Sequence, residues 1–171
     1  MRRPNRSIAP IAAQIRRYSE HDFDALVGRW HETNVESYSY VAEHRRHTLD
    51  DARAFFREHV VARCEIWVAH DSDEPLGLLA LEAPWIRQFA VFRDFQRRGV
   101  GTALLRKALE ASPSGLRLFT FRRNLKARAF YEKHGFDAAA FGCSPAPELE
   151  PDVEYRLPPD TTPRGVHARP R

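Results

Sequence analysis

The chain has 171 residues, of which 43% are hydrophobic and 29% are charged. These values indicate one soluble globular domain with a sizeable core. The formal net charge of +4 favours an anionic ligand, while Cys64 and Cys143 lack the paired spacing of a disulfide framework or a zinc site, so we expect a reducing cytoplasm.

The first 13 residues are predicted to form a disordered leader. In them, basic residues precede a short apolar run that Pro10 interrupts and Gln14 ends. Such a run is too short for a secretory signal or a membrane span, so we expect no membrane association. We place a single domain at residues 14–157 and a flexible, proline-rich tail at residues 158–171.

A strand at residues 14–18 and two amphipathic helices are predicted next. Ser19 with Asp22, and Thr48 with Asp51, have the spacing of a capping box at a helix start. After each box, apolar residues recur at helical spacing. They are Phe23, Leu26, Val27 and Trp30 in the first helix, and Ala52, Phe55, Phe56 and Val60 in the second.

The segment between these helices, residues 30–40, mixes tryptophan and tyrosine with carboxylates and histidine, and it lacks clean periodicity. Its rings either pack in the core or line a pocket. Three strands follow, at residues 64–70, 76–82 and 85–91, and short turns join them. Consecutive strands with short connections predict an antiparallel meander.

The third of these strands leads into a loop with two glycines, Gly99 and Gly101, and then into a helix with apolar residues at helical spacing. The first turn of a helix presents unpartnered N–H groups and a positive dipole end, which suit an anion. Glycines permit close approach of a phosphate. Charge or a further donor is available from neighbouring side chains: Arg97, Arg98 and Thr102. The spacing matches neither the dinucleotide fingerprint nor the P-loop, and an ordinary glycine turn into a helix is the alternative.

The last part of the predicted domain contains three strands and one helix. The strand at residues 116–121 follows a helix, so it should run parallel to the strand at 85–91 through a right-handed crossover. Asn124 is the expected N-cap of the last helix, and Gly135 ends it. Strands at residues 136–141 and 152–157 complete an α/β domain with a mixed sheet.

Two motifs resemble those of the GNAT superfamily of N-acetyltransferases. Residues 96–101 read Gln-Arg-Arg-Gly-Val-Gly, which matches the acetyl-CoA loop of that family: Gln or Arg, two residues, Gly, one residue, then Gly or Ala. Residues 124–136 resemble its second block, an Asn followed by a helix with Phe-Tyr and then Gly-Phe. The resemblance covers residues 67–155. It implies a GNAT-like mixed, mostly antiparallel sheet flanked by helices, and transfer of an acetyl group from acetyl-CoA to a primary amine of a small molecule or a protein by direct attack.

The resemblance also implies where acetyl-CoA binds. The cosubstrate would lie between the strands that end at Val91 and Phe121. Its pantetheine arm would bond the backbone of Phe89 and Val91, and its pyrophosphate would rest on the glycine loop. The residues implied to bind it are Phe89, Val91, Arg97, Arg98, Gly99, Val100, Gly101, Thr102 and Asn124. No metal is expected.

The family's catalytic groups are only partly present. Tyr131 occupies the position from which GNAT enzymes protonate the departing thiolate, a role open to a phenol. The two positions where the family carries a glutamate base hold Trp85 and Phe119, which cannot accept a proton. Deprotonation would then use ordered water or another carboxylate. The candidates are Glu82 first, then Glu32 and Asp152.

Other functions stay open at this stage. A non-catalytic acyl-CoA-binding or regulatory module of the same fold would explain the missing glutamates, although the retained Tyr131 counts against it. The arginines are scattered and no nucleic-acid motif accompanies them, so we expect no nucleic-acid partner. In the family, the region of residues 30–40 commonly forms a wall of the acceptor pocket, and its composition leans toward a small amine. A homodimer is left open.

Overall fold

The computed structural model describes residues 11–159, and most of this range folds into strands and helices. The strands are β1 (Gln14–Arg17), β2 (Glu65–Asp71), β3 (Glu74–Glu82), β4 (Trp85–Val91), β5 (Leu116–Phe121), β6 (Asp137–Cys143) and β7 (Pro151–Leu157). The α-helices are α1 (Phe23–Ser37), α2 (Leu49–Phe55), α3 (Val100–Ala111) and α4 (Leu125–Lys133).

Within the described residues the seven strands form one sheet, in the order β1-β2-β3-β4-β5-β7-β6. The predicted meander is confirmed, because β2, β3 and β4 pair antiparallel with their neighbours in sequence. The predicted parallel pair is also confirmed, since β5 runs parallel to β4. β7 lies antiparallel between β5 and β6. The sheet is therefore mixed and mostly antiparallel, as expected.

Apolar side chains alternate between the two faces of the sheet and build two cores. On one face, Leu79 and Leu81 pack with residues of α3 and α4. On the other, Leu78 and Ala80 pack with residues of α1 and α2. Because successive residues of a strand point to opposite faces, a continuous apolar strand such as β3 serves both cores.

The helix starts agree with the capping boxes. Thr48 accepts a hydrogen bond from the backbone N–H of Asp51 at 3.2 Å, and the Asp51 carboxylate accepts from the backbone N–H of Thr48 at 2.9 Å. The segment after Trp30 differs from the expectation, because α1 continues to Ser37. None of residues 31–37 is fully buried, so this stretch of helix has no apolar stripe that the sequence could show.

The predicted leader and tail fall mostly on residues that the structure does not describe. Residues 1–10 of the predicted leader and 160–171 of the predicted tail are outside the described residues. Ile11 is described, and its backbone N–H donates to the carbonyl of Arg98 at 3.1 Å. The side chains of Ile11 and Ala13 pack against the core, so the end of the predicted leader contacts the domain. In the described part of the chain, no helix has the length and apolarity needed to cross a membrane.

Candidate acyl-donor and acceptor site

The two central parallel strands separate shortly after they begin. Trp85 pairs with Arg117, and the backbone N–H of Arg117 donates to the Pro84 carbonyl at 2.8 Å. No further β4–β5 pair exists in the described residues, although β4 stays paired with β3, and β5 with β7, along their whole lengths. The facing edges of β4 and β5 thus present unpaired backbone groups. We call this gap, toward Val91 and Phe121, the β4–β5 opening. Unpaired strand edges bind extended amide chains.

A β-bulge lies in β4 beside this opening. Ala80 of β3 pairs with Gln88, and Leu81 pairs with Ile86, so Arg87 is an extra residue without a partner across the ladder. A bulge disrupts the ladder locally and re-aims the backbone groups next to it. The indole N–H of Trp30 on α1 donates to Gln88 Oε1 at 3.3 Å, which ties the helix to the bulged segment.

The glycine loop delivers the N-terminus of α3 to the end of β4. Gly99 is the N-cap residue and has φ +89°, a left-handed conformation that favours glycine. Its α-carbon faces open space. The first intrahelical bond is from the N–H of Ala103 to the carbonyl of Gly99 at 3.1 Å, so the N–H groups of residues 100–102 precede it. These donors, at the positive end of a 12-residue helix, fit a phosphate.

The two glycines have different roles. A Cβ on Gly101 would lie 3.1 Å from the ring of Phe130 and 3.4 Å from Val91 Cγ2. Gly101 therefore permits helix packing, whereas Gly99 leaves the loop open to a ligand. Gln96 secures the same loop, since its side-chain amide donates to the Val91 carbonyl at 3.0 Å. Arg97 is exposed at the tip.

Thr102 is already engaged by a histidine. The nearly buried His134 has Nδ1 2.8 Å from the Phe130 carbonyl and Nε2 3.0 Å from Thr102 Oγ1. A carbonyl only accepts, so Nδ1 carries the hydrogen, and in the neutral ring Nε2 accepts from the Thr102 hydroxyl. The Thr102 hydroxyl, which we expected to donate to a phosphate, then donates to His134 instead. Only its oxygen, as an acceptor, is left for a ligand.

Asn124 is likewise used within the fold. It caps α4, because its Oδ1 accepts from the backbone N–H of Ala127 at 3.2 Å. Its side chain also forms a hydrogen bond with Tyr38. Burial raises the pKa of Tyr38, and this hydrogen bond acts in the opposite direction. The side chain expected to touch the cosubstrate instead joins α4 to the end of α1.

Tyr131 lies beneath the β4–β5 opening. Its ring is 6.2 Å from that of Phe89 and 5.6 Å from that of Phe130, and the residue is 6% exposed. Its hydroxyl makes no hydrogen bond to another described residue. Burial, and secondarily the neighbouring Tyr38 phenol, raise the pKa of Tyr131 above its ordinary value, so the phenol stays protonated at neutral pH.

The structure does not bring Glu82 to this place. Glu82 pairs with Trp85 at the start of β4, whereas the opening lies toward Val91, which pairs with Gly77. Six residues of strand separate the two ends, roughly 20 Å. The Glu82 carboxylate instead accepts from Arg87 at 2.8 Å. The sequence suggested that Glu82 lies close to the reacting groups, because it ends the strand before β4. The antiparallel turn instead places it at the end of the β3–β4 pair that is far from Val91. Glu82 is therefore not part of the proposed catalytic group.

The other base candidates are arranged differently. Glu32 is exposed on α1. Trp85 and Phe119 are stacked on each other with their centroids 5.2 Å apart, so the two positions of the family's glutamates form one aromatic surface. Asp152 is 8% exposed and lies opposite Phe121. Among the described residues, no group of three His, Cys, Asp or Glu side chains is placed to hold a metal ion.

The sequence did not identify an aromatic group at the end of β5. The rings of Tyr38, Tyr40 and His44 lie 5.1, 6.4 and 6.0 Å from the ring of Phe121. We call these four residues the Tyr38 ring cluster. The three rings within residues 38–44 could have indicated an aromatic group. Their common partner, Phe121, is distant in sequence, so the sequence does not show the contact. The cluster bounds the opening on the α1 side.

Comparison with known proteins finds relatives of this chain and of its fold. Residues 62–138 match a family model described as an acetyltransferase (GNAT) domain. The Uncharacterized N-acetyltransferase YafP of Escherichia coli is 31% identical over 127 residues, which are 72% of this chain and 80% of that protein. The Peptidyl-lysine N-acetyltransferase YjaB of Salmonella typhimurium is 27% identical over 71% of this chain and 81% of that protein. The Probable N-acetyltransferase Rv2775 of Mycobacterium tuberculosis is 33% identical, over 54% of this chain and 59% of that protein.

Solved structures share the architecture. The solution structure of apo YjaB from Escherichia coli has a TM-score of 0.72 and 25% identity, and the match covers 85% of this chain and 97% of that one. A streptothricin acetyltransferase-like protein from Bacillus anthracis, crystallised with acetyl coenzyme A, has a TM-score of 0.53 and 23% identity over 57% of this chain and 64% of that one.

Proposed function

This chain belongs to the GNAT superfamily of acetyl-CoA-dependent N-acetyltransferases, and we propose that it binds acetyl-CoA in the β4–β5 opening and passes the acetyl group directly to a primary amine. The observation that carries the proposal is the early separation of β4 and β5 beside the exposed N-terminus of α3. This arrangement offers an amide-binding strand edge and a phosphate-binding helix end next to each other.

The cosubstrate contacts follow from this geometry. The pantetheine amides would pair with the backbone edge of β4 near Phe89 and Val91, where the Val91 carbonyl also accepts from the Gln96 side chain. The pyrophosphate would accept from the N–H groups of Val100, Gly101 and Thr102, with Gly99 leaving the approach open. Arg97 and Arg98 supply positive charge beside these donors, which favours a polyanion. The side chain of Asn124 would act indirectly, by fixing the start of α4.

The chemistry needs few catalytic groups. Holding the amine and the thioester side by side converts their reaction into an effectively unimolecular step. The amine nitrogen attacks the carbonyl carbon, and backbone N–H groups near the bulge at Arg87 would stabilise the negative oxygen that develops. When the C–S bond breaks, the thiolate takes a proton from the Tyr131 hydroxyl. The aromatic pair Trp85 and Phe119 offers no base, so the amine would lose its proton to water or to a carboxylate elsewhere.

The acceptor is proposed to be an aliphatic amine. The Salmonella relative is named for peptidyl-lysine, and the Bacillus anthracis protein for streptothricin. We favour an alkylamine, of a protein side chain or a small molecule, over a nucleic acid or lipid acceptor. A module that binds acyl-CoA without turnover is the second candidate, and the stacked Trp85 and Phe119 are the observation in its favour.

Thermal melting with acetyl-CoA tests the donor site. We expect the ligand to raise the Tm of the native protein, by about 2.7 kcal/mol of stabilisation at a hundredfold excess over Kd. Gly99→Asp should abolish most of the shift, since its carboxylate would face the phosphates. Gly99→Asn is the matched control: it has nearly the same size and the same tolerance of positive φ, but no charge, so it should keep a larger shift.

The result separates the alternatives. A shift that Gly99→Asp loses and Gly99→Asn partly keeps supports a phosphate at the α3 N-terminus. No shift of the native protein at millimolar acetyl-CoA would contradict the proposal. A shift without any release of CoA thiol across a set of alkylamines would favour the non-catalytic module.

A further inference from the structure

Trp85 and Phe119 form an aromatic stack on the α1 side of the sheet. Leu116 and Leu118 of β5 are buried in the core that α3 and α4 share. Because Phe119 alternates with them along the strand, its ring lies on the opposite face. The ring is nearly parallel to that of Trp85, with an interplanar angle of 9° and centroids 5.2 Å apart. We call these two residues the Trp85–Phe119 stack.

The phenyl ring is the open part of this stack. Arg117, the strand partner of Trp85, places its guanidinium carbon 4.2 Å from the centroid of the indole. Glu154 of β7 approaches Arg117 and Arg156 to 2.6 Å each, which holds the Arg117 guanidinium in place. The indole is thus in contact with two neighbours on its own sheet, whereas Phe119 is 55% exposed. A ligand can therefore reach the ring of Phe119.

The arginines beside the stack are already paired with carboxylates. Arg87, whose guanidinium carbon is 5.5 Å from the indole centroid, donates to Glu82 at 2.8 Å, and Arg117 is paired with Glu154. Asp152, two residues before Glu154 on the same face of β7, forms no ion pair with another described residue. An amine with a positive charge can therefore approach the stack without meeting an unpaired arginine of β4 or β5.

A second aromatic group follows on the same face of β5 and does not touch the first. Phe121 is two residues along the strand from Phe119, a distance of roughly 7 Å, and it belongs to the Tyr38 ring cluster. Within the described residues, no ring contact joins Phe119 to this cluster. Aromatic rings pair at centroid distances of about 4.5–7 Å, so one additional ring on Phe119 would extend the row toward Phe121.

The stack lies next to the place where the proposed reaction would occur. Trp85 is two residues before Arg87, the extra residue of the β-bulge, and two strand residues span roughly 7 Å. In the proposed function, N–H groups near this bulge stabilise the developing oxyanion, so the attacking nitrogen would lie a few atoms from Phe119. A group bound on Phe119 would then be a neighbour of the amine within the acceptor, and the nitrogen itself would stay free.

We propose that the acceptor is a small arylalkylamine, whose aromatic ring stacks on Phe119 while its nitrogen attacks the thioester. The nitrogen forms the C–N bond, the C–S bond breaks, and the proton that the amine loses balances the one that the thiolate takes up. This inference rests on the proposed acetyl transfer and names the class of its acceptor. It assigns specificity for that class to Phe119.

Steady-state kinetics with two probe amines test the assignment. The probes are 2-phenylethylamine and n-butylamine, which has the four-carbon chain of a lysine side chain. The native protein should prefer 2-phenylethylamine by at least about tenfold in kcat/KM, the lower end of what an apolar contact discriminates. Phe119→Ala should abolish most of this preference. The ratio for the two amines is the readout, because both share the donor site and any effect on acetyl-CoA cancels.

Three further variants control for packing and folding. Phe119→Tyr keeps the ring, so it should keep the preference within about threefold. Phe141→Ala removes another ring that is 62% exposed, but Phe141 pairs with the buried Val153 and so lies on the other face, and the ratio should stay unchanged. The Tm of each variant shows whether it is folded. If Phe119→Ala does not fold, Phe119→Leu keeps an apolar side chain without a ring and should lower the ratio at least about threefold.

The inference has its own readout if turnover fails. With CoA bound, 2-phenylethylammonium chloride should raise the Tm of the native protein more than equal n-butylammonium chloride, and Phe119→Ala should lose this difference. If the native protein acetylates no amine, the proposed function is wrong, while a Phe119-dependent difference in Tm still supports the aromatic site. Equal kcat/KM and equal Tm shifts for the two amines, or a preference that Phe119→Ala leaves unchanged, would overturn the assignment.

Discussion

At the scale of single residues, the charge of Asp152 lowers the stability of the folded protein. Its ionised form is disfavoured in the folded protein, because burial raises its pKa above the value of an unfolded chain. The folded state therefore binds the proton more tightly than the unfolded state. That contribution to stability is present at low pH and is lost as the pH rises through the pKa of the folded protein.

We accordingly expect Asp152→Asn to be more stable than the native protein at neutral pH. The expected result is a higher Tm for Asp152→Asn than for the native protein in calorimetric melting at pH 7. The difference should shrink as the pH falls through the raised pKa of the folded protein, because the native carboxyl then becomes neutral as well. The surrounding titratable groups, Glu154 and the Tyr38 ring cluster, are the same in both proteins. A lower Tm for Asp152→Asn at neutral pH would contradict this reading and indicate an undetected partner for the carboxylate.

Residues 152 and 154 also show a limit of sequence reasoning. Both are acidic residues at alternate positions of one strand, and the sequence does not distinguish them. Their difference depends on where Arg117 and Arg156 lie, which register and side-chain direction decide. Glu82 failed as a candidate for the same reason, since its pairing with Trp85 places it at the far end of β4.

At the scale of elements, the site depends on how α3 and α4 meet. Thr102 on α3 donates to His134 at the end of α4, and Gly101 packs against Phe130 of α4. The two motifs that signal the acetyl-CoA site are therefore joined to each other. In this arrangement the Thr102 hydroxyl joins the two helices, and we expect it to contribute less to phosphate binding than the backbone donors of α3 do.

Thr102→Val tests this division of roles. The valine has nearly the same shape but leaves His134 Nε2 without a partner, so it should cost roughly 1–3 kcal/mol of stability. The affinity for acetyl-CoA should fall less than about threefold, because the backbone donors of the helix remain. Thr102→Ser, which restores the hydroxyl, should recover the stability. Calorimetric melting and titration with acetyl-CoA give both values. A large loss of affinity with unchanged Tm would show that the hydroxyl contacts the ligand instead.

Most elements were predictable because their signals are local. Capping boxes, the Gly99 loop and the apolar repeat of α3 depend on neighbouring residues. The end of α1 was not predictable, since residues 31–37 bury no complete stripe of apolar side chains. The gap between β4 and β5 was expected only from the family resemblance, because it is a relation between two strands about 30 residues apart that no local pattern encodes.

At the scale of the whole molecule, the sheet divides into two parts around one gap. β1 to β4 form an antiparallel unit with α1 and α2 on one face, and β5, β7 and β6 form a second unit. Within the described residues, strand pairing joins the two units only where Trp85 meets Arg117, while a shared core packs against both. In the proposed function the donor would use the gap itself and the N-terminus of α3, and the acceptor would approach from the α1 side. The two substrates would then reach Tyr131 from different directions.

Detection of the acetylated amine tests the central claim most directly. The native protein, acetyl-CoA and n-butylamine are mixed, and mass spectrometry follows N-butylacetamide while a thiol reagent follows CoA. We expect the two products in equal amounts, and Tyr131→Phe, compared at the same acetyl-CoA occupancy, should form them about 10²-fold more slowly because the thiolate leaves without its proton donor. Thiol release without the amide, or amide formation that Tyr131→Phe leaves unchanged, would contradict the account.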